Sequence, residues 1–288
     1  MAINSLLMVG GGQMGSGICH VMAKVGIKCT MYDINQTEVD KGLASIDKNM
    51  NSEVKKGKMT QEDKDKAFAL ITGKVLPLKK EDCDVDLVIE AVPEKLALKM
   101  DYFKQLDELC PERTILATNT STLPVTKIAS VTKRPSKVCG MHFFSPVFIM
   151  KLIEVVKPLG YDQAVIDEIV ELGKRIGKNP IPVNDYPGFV GNRIMVPMMN
   201  EAIQCIFEGV ADAKTIDDVI VNGFNHPIGP IALVDAIGLD TILACMEVYQ
   251  AELGDDKYRP CPLLKKYNEA GWIGKKAACK KGFYDYNK

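Results

Sequence analysis

Histidine and tryptophan are scarce in this chain. Its 288 residues include three histidines (His20, His142 and His226) and one tryptophan. Proton-transfer chemistry near neutral pH therefore falls on very few imidazoles. Neither sign of charge is in excess: 36 Lys and Arg stand against 37 Asp and Glu, a net of −1. That removes the overall field that draws proteins to nucleic acid or anionic membranes. No apolar run is long enough to span a bilayer. The N-terminus runs directly into a strand pattern, without the layout of a signal peptide. The nine cysteines are odd in number and lack metal-type spacing. Cys29, Cys139, Cys205 and Cys245 sit inside apolar patterns, which suits buried thiols in a reducing compartment. Cys19 and Cys279 have more room to react, but nothing beside them lowers a thiol pKa. The expectation is a cytoplasmic protein with no metal, nucleic-acid or membrane partner.

What is present begins at once. The apolar run Ser5-Leu6-Leu7-Met8-Val9 passes into Gly10-Gly11-Gly12-Gln13-Met14-Gly15, and a helical pattern follows over 16–25. Strand, G-x-G-x-x-G and helix in that order form the dinucleotide-binding fingerprint. Gly10 permits the tight turn, Gly12 lets the backbone approach a pyrophosphate, and Gly15 lets helix and strand pack closely. The phosphates would rest on free N–H groups at the positive end of the helix. The next apolar run, Cys29-Thr30-Met31-Tyr32, ends in Asp33, 18 residues past Gly15. A carboxylate there suits a ribose 2′-hydroxyl. It would repel a 2′-phosphate, and no Arg or Lys follows until Lys41. The sequence thus favours NAD(H) over NADP(H). Asp33 could also be a turn residue before a helix.

Strand-like and helix-like segments then alternate. A polar helical stretch over about 38–70 is interrupted at Lys56-Gly57-Lys58 and reads as a helical hairpin. Strand patterns follow at 74–76, 85–90, 114–118, 138–141, 152–156 and 180–183, with helices over 94–110 and 162–176. This alternation predicts an α/β, Rossmann-type doubly wound, mainly parallel sheet, with ligands at the carboxyl ends of its strands. Beyond Asp185-Tyr186-Pro187-Gly188 the pattern turns helical, over 194–209, 215–222 and 230–253. We expect a nucleotide-binding domain over 1–186 and an all-helical, substrate-binding and dimerising domain over 187–288. Met195, Met198, Met199, Ala202, Ile203 and Ile206 recur at helical spacing. Such a stripe reads as core or as a subunit interface.

An alcohol dehydrogenase needs a base that takes the hydroxyl proton while hydride leaves to a nicotinamide, and imidazole suits this. His20 falls in the helix after the glycine loop, where it is packed or solvated. His226 falls in the turn Asn225-His226-Pro227-Ile228-Gly229-Pro230, which reads as structural. His142 closes the strand pattern 138–141 and so stands at the ligand end. Glu154, 12 residues on, lies inside the apolar run Leu152–Val156. A carboxylate in a strand core is costly without a partner. Glu154 either pairs with His142, fixing its tautomer and raising its basicity, or faces solvent at an edge strand. Thr118-Asn119-Thr120-Ser121-Thr122 either caps the next helix or binds a substrate oxygen and the nicotinamide ribose. Asn192, in Pro187-Gly188-Phe189-Val190-Gly191-Asn192-Arg193, either donates to a substrate carbonyl or merely opens a helix.

Taken together, GGGQMG at 10–15, Asp33, NTS at 119–121, HFFSP at 142–146, Glu154, PGFVGNR at 187–193, NHPIGP at 225–230 and GFYDY at 282–286 resemble the 3-hydroxyacyl-CoA dehydrogenases. The likeness spans the whole chain and is strongest to the short bacterial 3-hydroxybutyryl-CoA enzymes. It implies NAD as cofactor, an acyl-CoA substrate and an active site between the domains; the homodimer is the expectation from the apolar helix over 194–209. It makes His142 the general base, Glu154 its orienting partner, Ser121 the donor to the substrate C3 oxygen and Asn192 a contact on the thioester side. Gly10, Gly11, Gly12, Gln13, Met14, Gly15, Asp33, Glu94, Lys99, Asn119 and Ser121 match cofactor-contacting positions. Asn49 and Lys56 match positions that touch coenzyme A, where Lys55 and Lys58 would also suit an adenosine 3′-phosphate. Asn225 would approach the acyl portion. One departure is visible: the family's G-x-K-[ST]-G-x-G-F-Y is here Gly274-Lys275-Lys276-Ala277-Ala278-Cys279-Lys280-Lys281-Gly282-Phe283-Tyr284, longer and without the Thr and Gly. Lys276 is the residue carried to the cofactor lysine. Two rivals remain at this level: a dehydrogenase of free 3-hydroxy acids, whose relatives place a lysine at the base position, and a non-catalytic nucleotide-binding protein of the same fold.

Overall fold

The computed structural model describes residues 3–287, and the chain divides into two compact units after Asp185. The first unit is an eight-stranded sheet in the order β3-β2-β1-β4-β5-β6-β7-β8. The strands are β1 (Ser5–Val9), β2 (Lys28–Asp33), β3 (Ile71–Val75), β4 (Leu87–Glu90), β5 (Ile115–Thr118), β6 (Val138–Phe143), β7 (Leu152–Lys157) and β8 (Asn179–Asn184). β1 to β6 run parallel. The central strands β1, β4 and β5 are largely apolar runs because helices cover both faces of such a sheet. The strand order reverses between β1 and β4, the switch point where doubly wound sheets bind ligands.

β7 runs antiparallel to β6, because only the short segment 144–151 joins them and a parallel return needs a dozen or more residues. β8, parallel to β7, is the outer strand, and it carries Pro180 and Pro182. The crossover helices are α1 (Gln13–Ala23), α2 (Gln36–Lys55), α3 (Gln61–Phe68), α4 (Leu96–Leu109), α5 (Val125–Ala129) and α6 (Gln163–Arg175). α2 and α3 form the hairpin expected over about 38–70. Asn35 and Thr60 cap them by accepting from Glu38 N and Asp63 N. The core runs from Met8, Ile18 and Met31 through Ile89 and Met141 to Ile153 and Ile166.

Beneath α1 lies a small buried charge cluster. His20 is fully buried and stacks on Phe148, with ring centroids 5.7 Å apart. Its Nε2 lies 3.6 Å from Glu53 Oε2, which Lys24 holds at 2.5 Å. Burial dominates and pulls the His20 pKa from 6.5 down to about 4, with Lys24 and Lys178 adding to the effect against the pull of Glu53. A lowered pKa means the folded protein keeps His20 neutral while the unfolded chain protonates it. Stability is then complete above pH 6.5 and falls as pH drops toward 4, by about 3 kcal/mol from this group. Urea unfolding at pH 7 and 4.5 should reveal that loss, and His20→Leu should flatten it. Equal acid loss in both proteins would assign it elsewhere.

The second unit holds α7 (Gly191–Phe207), α8 (Ala213–Phe224), α9 (Pro230–Ile237), α10 (Leu239–Leu253) and α11 (Pro262–Glu269). The periodicity predicts one helix over 230–253. Gly238, with φ of 110°, breaks it into α9 and α10, a conformation glycine adopts without strain. From the α7 stripe, Met199, Ala202 and Ile203 enter the core of this unit with Val234, Met246 and Tyr249. Met195 and Ile206 are only partly covered there.

Candidate active site

The glycine loop follows β1 directly. Gly10 N donates to Tyr32 O at 2.8 Å, and Gly10 has φ of 99°. A Cβ on Gly10 would stand 2.6 Å from Ala91 O, and one on Gly15 would collide with the Gly10 carbonyl oxygen. Gly12, the N-cap of α1, meets nothing within 4 Å. No side chain caps α1, and no acid lies in its first turn. The first N–H groups of the helix are therefore left for an anion. A cradle closed by glycines and open over Gly12 fits a dinucleotide pyrophosphate. Gln13 and Met14 form the first helical turn, and Gln13 Nε2 donates to Ser145 Oγ at 2.9 Å. Asp33 ends β2 half-buried. Its carboxylate accepts from Gly11 N and Ile34 N, each at 2.7 Å, so it braces the glycine loop.

The ends of β4 and β5 carry a denser network. Glu94 Oε1 accepts from the Thr120 hydroxyl, from Ser121 N at 3.0 Å and from Thr122 N at 3.4 Å. Burial works against its charge, but Lys99 and these hydrogen bonds outweigh it and hold the Glu94 pKa below the usual range. Asn119 Oδ1 accepts from Phe143 N at 3.0 Å, tying this turn to β6. The Asn119–Thr122 segment is thus braced by side chains rather than serving only as a cap. Lys99, which matches a cofactor-contacting position of the family, is turned into the protein. It is 1% exposed, and its three protons go to Glu90 Oε1 at 2.7 Å, Val92 O at 3.1 Å and Glu94 Oε2 at 3.2 Å. Glu90, which accepts from the Thr118 hydroxyl at 2.8 Å, does not stand out from spacing. A carboxylate closing the apolar run Leu87–Ile89 is nevertheless the kind of signal that singles out Glu154.

His142 and Glu154 face each other in the antiparallel register of β6 and β7. His142 Nδ1 lies 2.7 Å from Glu154 Oε2, with both residues buried. This decides between the two readings of Glu154: it faces the imidazole, not solvent. A carboxylate at Nδ1 makes that nitrogen the donor and leaves Nε2 with the basic lone pair. Phe144 packs on the ring at a centroid distance of 4.5 Å.

On the α2–α3 hairpin, Asn49 lies half-buried in α2 and Lys56 is its exposed C-cap. In the second unit, Asn192 occupies the first turn of α7. Its neighbour Arg193 lies 5.6 Å from the centroid of Tyr186 and 4.4 Å from that of Tyr258. Asn225 is the left-handed C-cap of α8. Lys276 pairs with Asp240 at 2.8 Å and donates to Thr241 Oγ1 at 3.1 Å. The GFYDY motif is a clasp. Asp235 accepts from Phe283 N, Tyr284 N and the Tyr286 hydroxyl, while Asp217 accepts from the Tyr284 hydroxyl at 2.6 Å. Burial, reinforced by Asp217, pushes the Asp235 pKa up. Of the two cysteines with more room to react, Cys19 is buried and Cys279 exposed. Among the described residues no group of His, Cys, Asp or Glu is arranged to hold a metal ion.

A nucleotide cradle beside a strand-end His–Glu pair defines an NAD-binding oxidoreductase. The family models agree. The one described as 3-hydroxyacyl-CoA dehydrogenase, NAD binding domain, matches residues 5–186, and the corresponding C-terminal domain matches 188–286. The chain is 48% identical over 284 residues to 3-hydroxybutyryl-CoA dehydrogenase of Clostridioides difficile, covering 98% of this chain and 99% of that one. It is 34% identical to the human mitochondrial hydroxyacyl-coenzyme A dehydrogenase, covering 99% and 91%. The crystal structure of (S)-3-hydroxybutyryl-CoA dehydrogenase from Ralstonia eutropha superposes over the full length of both chains with a TM-score of 0.95 at 42% identity. The chain belongs to the 3-hydroxyacyl-CoA dehydrogenase family.

Proposed function

We propose that this protein interconverts (S)-3-hydroxyacyl-CoA and 3-oxoacyl-CoA with NAD, and that its substrate pair is 3-hydroxybutyryl-CoA and acetoacetyl-CoA. The observation that carries the reading is the buried His142–Glu154 pair at 2.7 Å. In the oxidative direction His142 Nε2 takes the C3 hydroxyl proton. Glu154 stabilises the resulting imidazolium, and in reduction the proton returns by the same route. Ser121 hydrogen-bonds the C3 oxygen, and Asn192 takes the thioester side. When bound, NAD supplies the hydride acceptor. Gly10–Gly15 hold its pyrophosphate, Asp33 its ribose, and Asn119, Glu94 and Lys276 complete its surroundings, with Lys99 acting through Glu94. Asn49 and Lys56, with Lys55 and Lys58, take coenzyme A, and Asn225 the acyl portion.

Acetoacetyl-CoA with NADH should give rapid turnover, while free acetoacetate under the same conditions should give almost none. Comparable rates with the free acid would overturn the coenzyme A reading, and activity with neither would overturn the dehydrogenase reading.

We further propose a homodimer. Ile194 and Phe207 on α7 and Val219 and Phe224 on α8 are all more than half exposed, and apolar side chains at that density on helices suit burial against a second copy. Light scattering at the mass of one chain would refute this. No helix among the described residues is long and apolar enough to cross a membrane. With nine free cysteines we place the protein in the cytoplasm, which cell fractionation checks.

A further inference from the structure

The geometry points to Glu90 as a positioning residue for the reaction. Through Lys99 it anchors Glu94, and Glu94 holds the turn that presents Ser121. This rests on the role proposed above for Ser121.

Glu90 is the last residue of β4, in register with Val9 of β1 and Thr118 of β5. It therefore stands at the switch point of the sheet, between the glycine loop and the Ser121 turn. It is fully buried. An ionised carboxylate there needs complete pairing, and it has it. Oε1 accepts from Val92 N and Lys99 Nζ, each at 2.7 Å, and Oε2 accepts from the Thr118 hydroxyl at 2.8 Å. Its main-chain oxygen accepts from Asn119 N at 2.8 Å. Lys99, with no proton to spare, is the link to Glu94. Glu94 Oε1 in turn gathers the Thr120 hydroxyl and the N–H groups of Ser121 and Thr122.

Without the Lys99 charge, nothing else in this network holds Glu94 from behind. A desolvated Glu90–Lys99 ion pair is an expensive way to stabilise a sheet end, where apolar side chains would pack at lower cost. What it supplies is a fixed direction for the backbone of residues 120–122. A donor to a reacting oxygen needs that fixity, since small misplacements cost large factors in rate.

The test is a double-mutant cycle, measured as kcat for acetoacetyl-CoA reduction by NADH. Glu90→Gln keeps the shape and removes the charge. It should lower kcat about tenfold, the scale of coupling between residues of one hydrogen-bond network. Ser121→Ala should lower kcat on its own. In the Ser121→Ala background, Glu90→Gln should cost less than about twofold more, because the group it positions is already gone. Glu90→Gln alone leaves Lys99 buried with only the partly exposed Glu94 as a charged partner, so Glu90→Gln/Lys99→Met, which removes the pair together, carries the same test in a protein less prone to unfold. Fully additive losses would make Glu90 a structural residue only and overturn the proposal. Unchanged kcat in Ser121→Ala would overturn the role of Ser121 itself, and the proposal with it.

Discussion

Replacing His142 by glutamine is expected to lower kcat for acetoacetyl-CoA reduction by roughly 10²–10⁴-fold, the range for a lost general acid–base, with the fold intact. Glutamine is close in size and can donate to Glu154 Oε2 from its amide, so the buried carboxylate keeps a partner. What it lacks is a nitrogen that can bind and release a proton near neutral pH. The cost should therefore fall on the chemical step. NADH binding, followed by fluorescence, should be preserved, and thermal unfolding should stay near that of the parent. Turnover close to normal in a folded His142→Gln protein would reject this residue as the base.

Gly15→Ala is expected to destabilise the first unit by about 3 kcal/mol or more, beyond the usual range for surface substitutions, and to abolish measurable NADH binding. The reason is steric. Its methyl group would overlap the carbonyl oxygen of Gly10, and Gly10 cannot retreat because it abuts the backbone at Ala91. Gly12→Ala makes the contrast. No protein atom lies within 4 Å of the new methyl, so the free energy of unfolding should change by less than about 1 kcal/mol, while NADH affinity falls at least tenfold. If both variants unfold alike and bind alike, the loop is a structural turn and not a phosphate cradle.

Much of this arrangement is legible in the residues. The central parallel strands β1, β4 and β5 read as largely apolar runs, and the glycine spacing identifies the first crossover. Glu154 draws attention because a carboxylate inside such a run demands a partner, and its register with His142 provides one. Other features escape for physical reasons. Gly238 breaks a helix whose apolar period continues through it. α5 has five residues and α11 has eight, too few turns to establish a period against the surrounding loops. Lys99 has the family's position for a cofactor contact, but where its three protons go depends on Glu90 and Val92, which adjacency in sequence does not reveal. The GFYDY segment matches as a motif, yet its partners Asp217 and Asp235 lie 67 and 51 residues away from Tyr284 and Tyr286.

The outer margin of the sheet bears on how copies of the chain meet. Asn179 N in β8 points inward to Lys151 O at 2.7 Å. The alternate positions Pro180 and Pro182 therefore stand where outward N–H groups would be. Proline has none to offer, so a foreign strand arriving at that margin finds two of the three outward donors missing. The two prolines thus work against edge-to-edge growth into ribbons at that strand.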